Sequence, residues 1–126
     1  MLGIRLGGTL TIRGSLGPDT ITAATGPLFS GFGGSGNDSI LGGNVNDSIY
    51  GGFGDDTIIG AAGVDQEYGE DGNDRFGDAL TTGNGVADNP GADVMFGGDG
   101  NDRLIGTPAA GSINGGGGDD SLTGGD

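Results

Sequence analysis

The chain has 126 residues, including 34 Gly, 4 Pro, no Cys and no His, and 18 acidic residues against 4 basic ones give a formal net charge of −14. That balance excludes nucleic acid and anionic membranes as partners and favours cations. Without Cys or His there are no disulfides, no thiolate metal sites and neither the commonest transition-metal ligand nor the usual general base, so oxygen ligands remain. The length allows one domain, residues 1–126. No apolar run is long enough for membrane insertion, and Met1 to Leu16 lacks the basic and apolar stretches of a secretory signal peptide.

Residues 1–13 read as an opening strand or pair of strands and as an N-terminal cap, with Leu10 and Ile12 in alternation before Gly14. From Gly14 a nine-residue period sets in. Its first position is Gly, its second and fourth are mostly Gly, its sixth is Asp and its eighth is a large apolar residue. Gly14 to Thr22 fits with Asp19 and Ile21, whereas residues 23–32 break the rule, with Leu28 in place of Asp and one extra residue near Phe29 to Phe32. This unit is expected to form a half-turn that carries apolar side chains and no metal.

Five units then follow without an indel from Gly33 to Gly77 and place Asp38, Asp47, Asp56, Asp65 and Asp74 at position six. The fourth puts Glu67 where an apolar anchor belongs. Either Tyr68 turns inward there or the core opens, because a buried unpaired carboxyl is the least favourable arrangement. Residues 78–87 form a second irregular unit without Asp, a loop or bulged half-turn. The period resumes with Asp93, Asp102 and Asp120, interrupted by Gly111 in place of Asp, and the chain stops at Gly124 to Asp126, inside a further unit, as a fragment of a longer protein would.

A nine-residue unit holds six turn residues and a short strand, so two units make one 18-residue turn and same-side loops stack at the interstrand spacing of about 4.8 Å. Two inward ladders are expected. One runs through Ile21, Ile40, Ile58 and Phe76, and the other through Ile12, Ile49, Met95 or its neighbours and Leu104. If residues 78–87 count as a half-turn, one side carries Asp19, Asp38, Asp56, Asp74 and Asp93, and the other Asp47, Asp65, Asp102 and Asp120. Carboxylates about 5 Å apart repel by roughly 1 to 3 kcal/mol per pair at an effective dielectric of about 20 to 80. A cation between loops reverses that sign. Two carboxylates plus carbonyls suit the six to eight oxygens of calcium better than the tight octahedron of magnesium.

Glycines at positions one, two and four allow the backbone angles that turn carbonyls toward an ion. Two anchor side chains per turn are a small core for the chain that must be ordered, so metal binding is expected to be coupled to folding.

The pattern G-G-x-G-x-D-x-U-x, repeated from residue 14 to 22 and from 33 to 123, resembles the RTX, or hemolysin-type, calcium-binding nonapeptide repeat. The resemblance implies an all-β, right-handed parallel β-roll, a β-solenoid with two nine-residue units per turn, that binds several calcium ions. Each ion is implied to lie between same-side loops, held by the Asp of both, by carbonyls of positions two and four of the earlier loop and by those of positions one and three of the later. Carried over, this groups Gly34, Gly36 and Asp38 with Gly51, Phe53 and Asp56. It likewise groups Gly52, Gly54 and Asp56 with Gly69, Asp71 and Asp74. On the other side Gly43, Val45 and Asp47 go with Gly60, Ala62 and Asp65, and Gly98, Gly100 and Asp102 go with Gly115, Gly117 and Asp120. Pairs joining Asp19 to Asp38 and Asp74 to Asp93 each span an indel.

Nothing catalytic is expected. Paired acids such as Asp55 and Asp56 lack a cleft, since one is committed to metal and its neighbour faces solvent. Asn37 and Asn46 match a glycosylation acceptor pattern but are ordinary for position five. Ice binding by a flat loop row is disfavoured because position three reads Ser35, Asn44, Phe53, Ala62, Asp71, Asp99 and Gly117. The function implied is a calcium-binding structural module that folds on meeting external calcium, outside the cell or at its surface, in support of a neighbouring domain. The alternatives are an accessory fragment of a larger secreted enzyme or toxin of protease, lipase, hemolysin or epimerase type and, less favoured, an ice-binding or adhesin segment.

Overall fold

A computed structural model describes residues 8–23, 28–77, 91–106 and 111–124. Twelve strands alternate between two six-stranded parallel sheets. Sheet A contains β1 (Leu10–Arg13), β3 (Phe29–Ser35), β5 (Ser48–Phe53), β7 (Gln66–Asp71), β9 (Val94–Asp99) and β11 (Ser112–Gly117). Sheet B contains β2 (Thr20–Thr22), β4 (Ser39–Leu41), β6 (Thr57–Ile59), β8 (Arg75–Phe76), β10 (Arg103–Ile105) and β12 (Ser121–Thr123). Odd strands stack only on odd strands and even only on even, which is the topology of a β-roll. Loops from sheet A to sheet B form its first edge, and loops from sheet B to sheet A its second.

Register follows the anchors. In sheet B Ile21, Ile40, Ile58, Phe76, Leu104 and Leu122 are successive partners. In sheet A Ile12, Gly31, Ile49, Glu67, Met95 and Ile113 are. Leu104 therefore stands with Phe76, not with Met95 as expected above. The reason is the stretch before β9: same-edge Asp65 and Asp93 are 28 residues apart where Asp47 and Asp65 are 18 apart. The ten additional residues are an insertion within one second-edge connection, not a half-turn. Residues 78–90 lie outside the described residues.

The other irregular unit also shifts. Leu28 is half exposed and Phe29, not Leu28, takes the Asp-equivalent place, donating its N–H to Asp47 as Asp47 does to Asp65. The extra residue thus precedes Phe29, which leaves Gly31 at the anchor position. The Phe29 ring fills the vacated space, since a methyl at Gly31 would meet the ring at about 2.5 Å. Core volume is conserved by a neighbour two residues away.

Glu67 overturns the sequence expectation. It is fully buried between Ile49 and Met95, and neither carboxyl oxygen has a hydrogen-bond partner among the described residues. Tyr68 stays outside. A one-residue slip would exchange the faces of the whole strand, and the outer face has its own ladder: Phe32, Tyr50, Tyr68 and Phe96 stack with centroids 4.9, 4.8 and 5.2 Å apart. The Arg13 guanidinium lies 4.4 Å from the Phe32 ring centre and closes one end. Keeping this register leaves the carboxyl inside, and desolvation, with Asp93 and Asp65 as neighbouring charges, pushes its pKa well above the ordinary range. The Gly60 backbone is the nearest favourable group, without a hydrogen bond of ordinary geometry.

Candidate metal centres

Each position-six Asp leaves its loop with its side chain turned inward, and Asp38, Asp47, Asp56, Asp65, Asp74, Asp93 and Asp102 are all buried. Their Oδ1 atoms form two ladders. On the first edge the N–H groups of Asp19, Asp38, Asp56, Asp74 and Asp102 donate to Oδ1 of Asp38, Asp56, Asp74, Asp102 and Asp120, at 2.8 to 3.0 Å. On the second edge Phe29, Asp47 and Asp65 donate to Asp47, Asp65 and Asp93. The pairs 38 with 56, 56 with 74, 47 with 65, 102 with 120 and 19 with 38 are brought together. Asp74 is joined to Asp102 and not to Asp93, and Asp93 belongs with Asp65, because the insertion is not a half-turn.

The second carboxyl oxygens tell more. Oδ2 of Asp38, Asp56, Asp65, Asp74, Asp93 and Asp102 is buried with no hydrogen-bond partner among the described residues. On the first edge a backbone carbonyl of the next loop lies beside it: a methyl at Gly33 would collide with both Asp38 Oδ2 and the Gly51 carbonyl, and one at Gly51 with Asp56 Oδ2 and the Gly69 carbonyl. The same cradle recurs at Gly69, with Asp74 and Gly97, and at Gly97, with Asp102 and Gly115. Position-one glycine is thus required by close approach and not by a left-handed φ. A carboxyl oxygen beside a carbonyl oxygen fits a hard cation or, when the carboxyl is neutral, a proton donated to the carbonyl.

Positions two and four do need left-handed angles. Gly34 and Gly36 have φ of 113° and 118°, Gly52 and Gly54 both 120°, Gly98 and Gly100 119° and 147°. Ala61 at 73° and Glu70 at 80° adopt such angles without being glycine, a conformation that costs an L-residue about 1 to 2 kcal/mol. Position-three carbonyls of Phe53, Asp71, Asp99 and Gly117 accept the N–H of Gly36, Gly54, Gly72 and Gly100 at 2.7 to 2.8 Å and retain a second lone pair.

Two loops differ. The Ser15 N–H donates to Asp19 Oδ2 at 2.5 Å and the Gly43 N–H to Asp47 Oδ2 at 2.7 Å. The Ser15 and Gly43 carbonyls accept the N–H of Ser35 and Ala62 at 3.1 Å.

Burial drives the electrostatics. Desolvation raises the pKa of Asp56 from 3.8 to about 6 and those of Asp65 and Asp74 to about 7, against the lowering effect of the ladder N–H and with further raising by neighbouring carboxylates. Asp93 and Asp102 move the same way, again chiefly by desolvation. Among the described residues no group of three or more acidic side chains converges, so a cation here would depend on backbone carbonyls as well as carboxylates.

A position-five ladder was not anticipated. Asn37, Asp55, Asn73 and Asn101 accept the N–H of Asp55, Asn73, Asn101 and Asp119 at 2.8 to 3.1 Å, and Asn46 accepts that of Val64 at 3.0 Å. Asp55 is exposed, as expected, and is also part of the loop scaffold. The Asn or Asp at position five of six units, Asn37, Asn46, Asp55, Asn73, Asn101 and Asp119, was the available signal.

The model of the RTX calcium-binding nonapeptide repeat matches this chain in four copies across residues 32–67, 86–108 and 105–126, more than half its length. The chain belongs to that family and is a calcium-binding module. Searches of curated proteins and of solved structures gave no significant match.

Proposed function

We propose that this chain is a structural module that folds as calcium binds between neighbouring loops, working outside the cell or at its surface in support of an adjoining domain. The observation that carries the reading is the row of buried, partnerless Oδ2 atoms, of which those of Asp38, Asp56, Asp74 and Asp102 each lie beside a backbone carbonyl of the next loop. On the first edge the proposed carboxylates are Asp38, Asp56, Asp74, Asp102 and Asp120, and on the second Asp65 and Asp93; Oδ2 of Asp19 and of Asp47 is taken by a backbone N–H. The carbonyls are those of Gly34, Gly36, Gly52, Gly54, Gly98 and Gly100 from earlier loops, and of Gly51, Phe53, Gly69, Asp71, Gly115 and Gly117 from later ones. The joining of Asp74 to Asp102 adds Glu70 and Gly72 to the first group and Gly97 and Asp99 to the second.

Bound calcium supplies the positive charge that the stacked carboxylates lack. The residues contribute the rest: Oδ1 holds the coils in register, Oδ2 faces the gap, and left-handed glycines aim the carbonyls. Millimolar external calcium suits such sites, since extracellular modules bind at about 10⁻⁴ to 10⁻³ M. Far-ultraviolet circular dichroism tests the reading: calcium should convert a disordered spectrum to a β spectrum and magnesium should not. A spectrum indifferent to calcium would contradict it.

A further inference from the structure

Calcium is expected wherever the repeat places two Asp residues on adjacent same-edge loops, yet the loops are of two kinds. We infer that the residue at position four, and not the Asp, decides which loops of this chain take an ion. On this basis the gaps between Asp19 and Asp38 and between Asp47 and Asp65 do not hold one in the way the remaining gaps do. The inference rests on the calcium reading above.

In loops 33–38, 51–56, 69–74 and 97–102 positions two and four are both left-handed, and Oδ2 of the loop's own Asp is buried and partnerless. In loops 14–19 and 42–47 neither position is left-handed, and the position-two N–H turns inward onto Oδ2 of Asp19 or Asp47. That N–H occupies the oxygen that would face an ion.

Each closed loop has a local cause at position four. Val45 is β-branched, and a left-handed φ is least accessible to such a residue. Gly17 has no left-handed φ and precedes Pro18, whose ring disfavours helical angles at the residue before it. Position two is not decisive, because loops 60–65 and 69–74 stay open with Ala61 and Glu70 there, and both have glycine at position four, Gly63 and Gly72. The strain at Ala61 and Glu70 shows the open conformation being imposed from position four.

Calcium bound per full-length chain, counted by native mass spectrometry at saturating calcium, tests this with three matched variants. Asp56→Asn should lower the count relative to the unaltered chain, Asp47→Asn should leave it unchanged, and Val45→Gly should raise it by one. An Asp47→Asn chain that folds in calcium but loses as many ions as Asp56→Asn would overturn the inference and leave the calcium reading intact. Should Asp47→Asn fail to fold, Val45→Gly decides, and an unchanged count overturns the inference. An unaltered chain that binds no calcium contradicts both.

Discussion

Loops 42–47 and 51–56 follow one another in the chain, begin with Gly-Gly and end with a buried Asp, yet one closes on itself and the other stays open. Both Oδ2 atoms lie beside a carbonyl of the next loop, that of Gly60 or Gly69, but Asp47 Oδ2 is satisfied by the Gly43 N–H at 2.7 Å whereas Asp56 Oδ2 has no partner among the described residues. The carboxylate is common to both, so it does not define the site. What differs is the backbone that Val45 or Gly54 permits. The lesson is that the conspicuous acid reports the period, whereas the backbone angle allowed two residues before it reports the chemistry.

The sharpest way to break this comparison is to close an open loop. Gly54→Ala places a side chain at a φ of 120° and drives its Cβ into the Gly36 carbonyl, which combines left-handed strain with overlap. A loss of about 2 to 5 kcal/mol is expected in urea unfolding at saturating calcium. Gly17→Ala, at the same position of a closed loop, meets nothing within 4 Å and should change stability by no more than about 0.5 kcal/mol. Equal losses from the two substitutions would erase the distinction between the loops.

A smaller effect separates edges from core. Glu67 buries a carboxyl with no partner among the described residues, so Glu67→Met should stabilise the roll by about 1 to 3 kcal/mol, in chelator and in calcium alike. A gain seen only without calcium would mean that Glu67 acts on the metal centres instead.

The smallest expected effect is that of pH on the metal-free chain. Asp56, Asp65 and Asp74 have folded pKa values of about 6, 7 and 7, above the 3.8 of an exposed Asp. The folded chain therefore holds these protons more tightly than the unfolded one. Their contribution is fully present below about pH 4 and is lost as pH rises through 6 to 7. Metal-free protein should gain β structure on mild acidification, and calcium-loaded protein should lose stability over the same range, because protons compete with the ion. Circular dichroism across pH 4 to 8 with and without calcium reads both signs.

Much of this was legible in the sequence. Gly at position one and Asp at position six recur at fixed spacing, and that period alone yields the coil, the two sheets and the Asp ladder of residues 33 to 77. Residues 78–87 misled because a ten-residue insertion is nearly the length of one unit, and counting it as a half-turn moved Asp93, Asp102 and Asp120 to the wrong edge and Leu104 to the wrong sheet. Phe29 and Glu67 escaped for a different reason. Both depend on neighbours in adjacent coils, namely the space above Gly31 and the aromatic stack that fixes Tyr68 outside, and such contacts are not written in any single unit. Pro18 and Val45 were in plain view, but their meaning appears only when the loop they sit in is compared with one that lacks them.

The central claim is that ions between open loops hold this small core together, and a calorimetric melt tests it most directly. In excess calcium the chain should show one cooperative transition that vanishes, or falls by tens of degrees, when a chelator is added. A transition of the same midpoint and enthalpy in chelator would contradict the account.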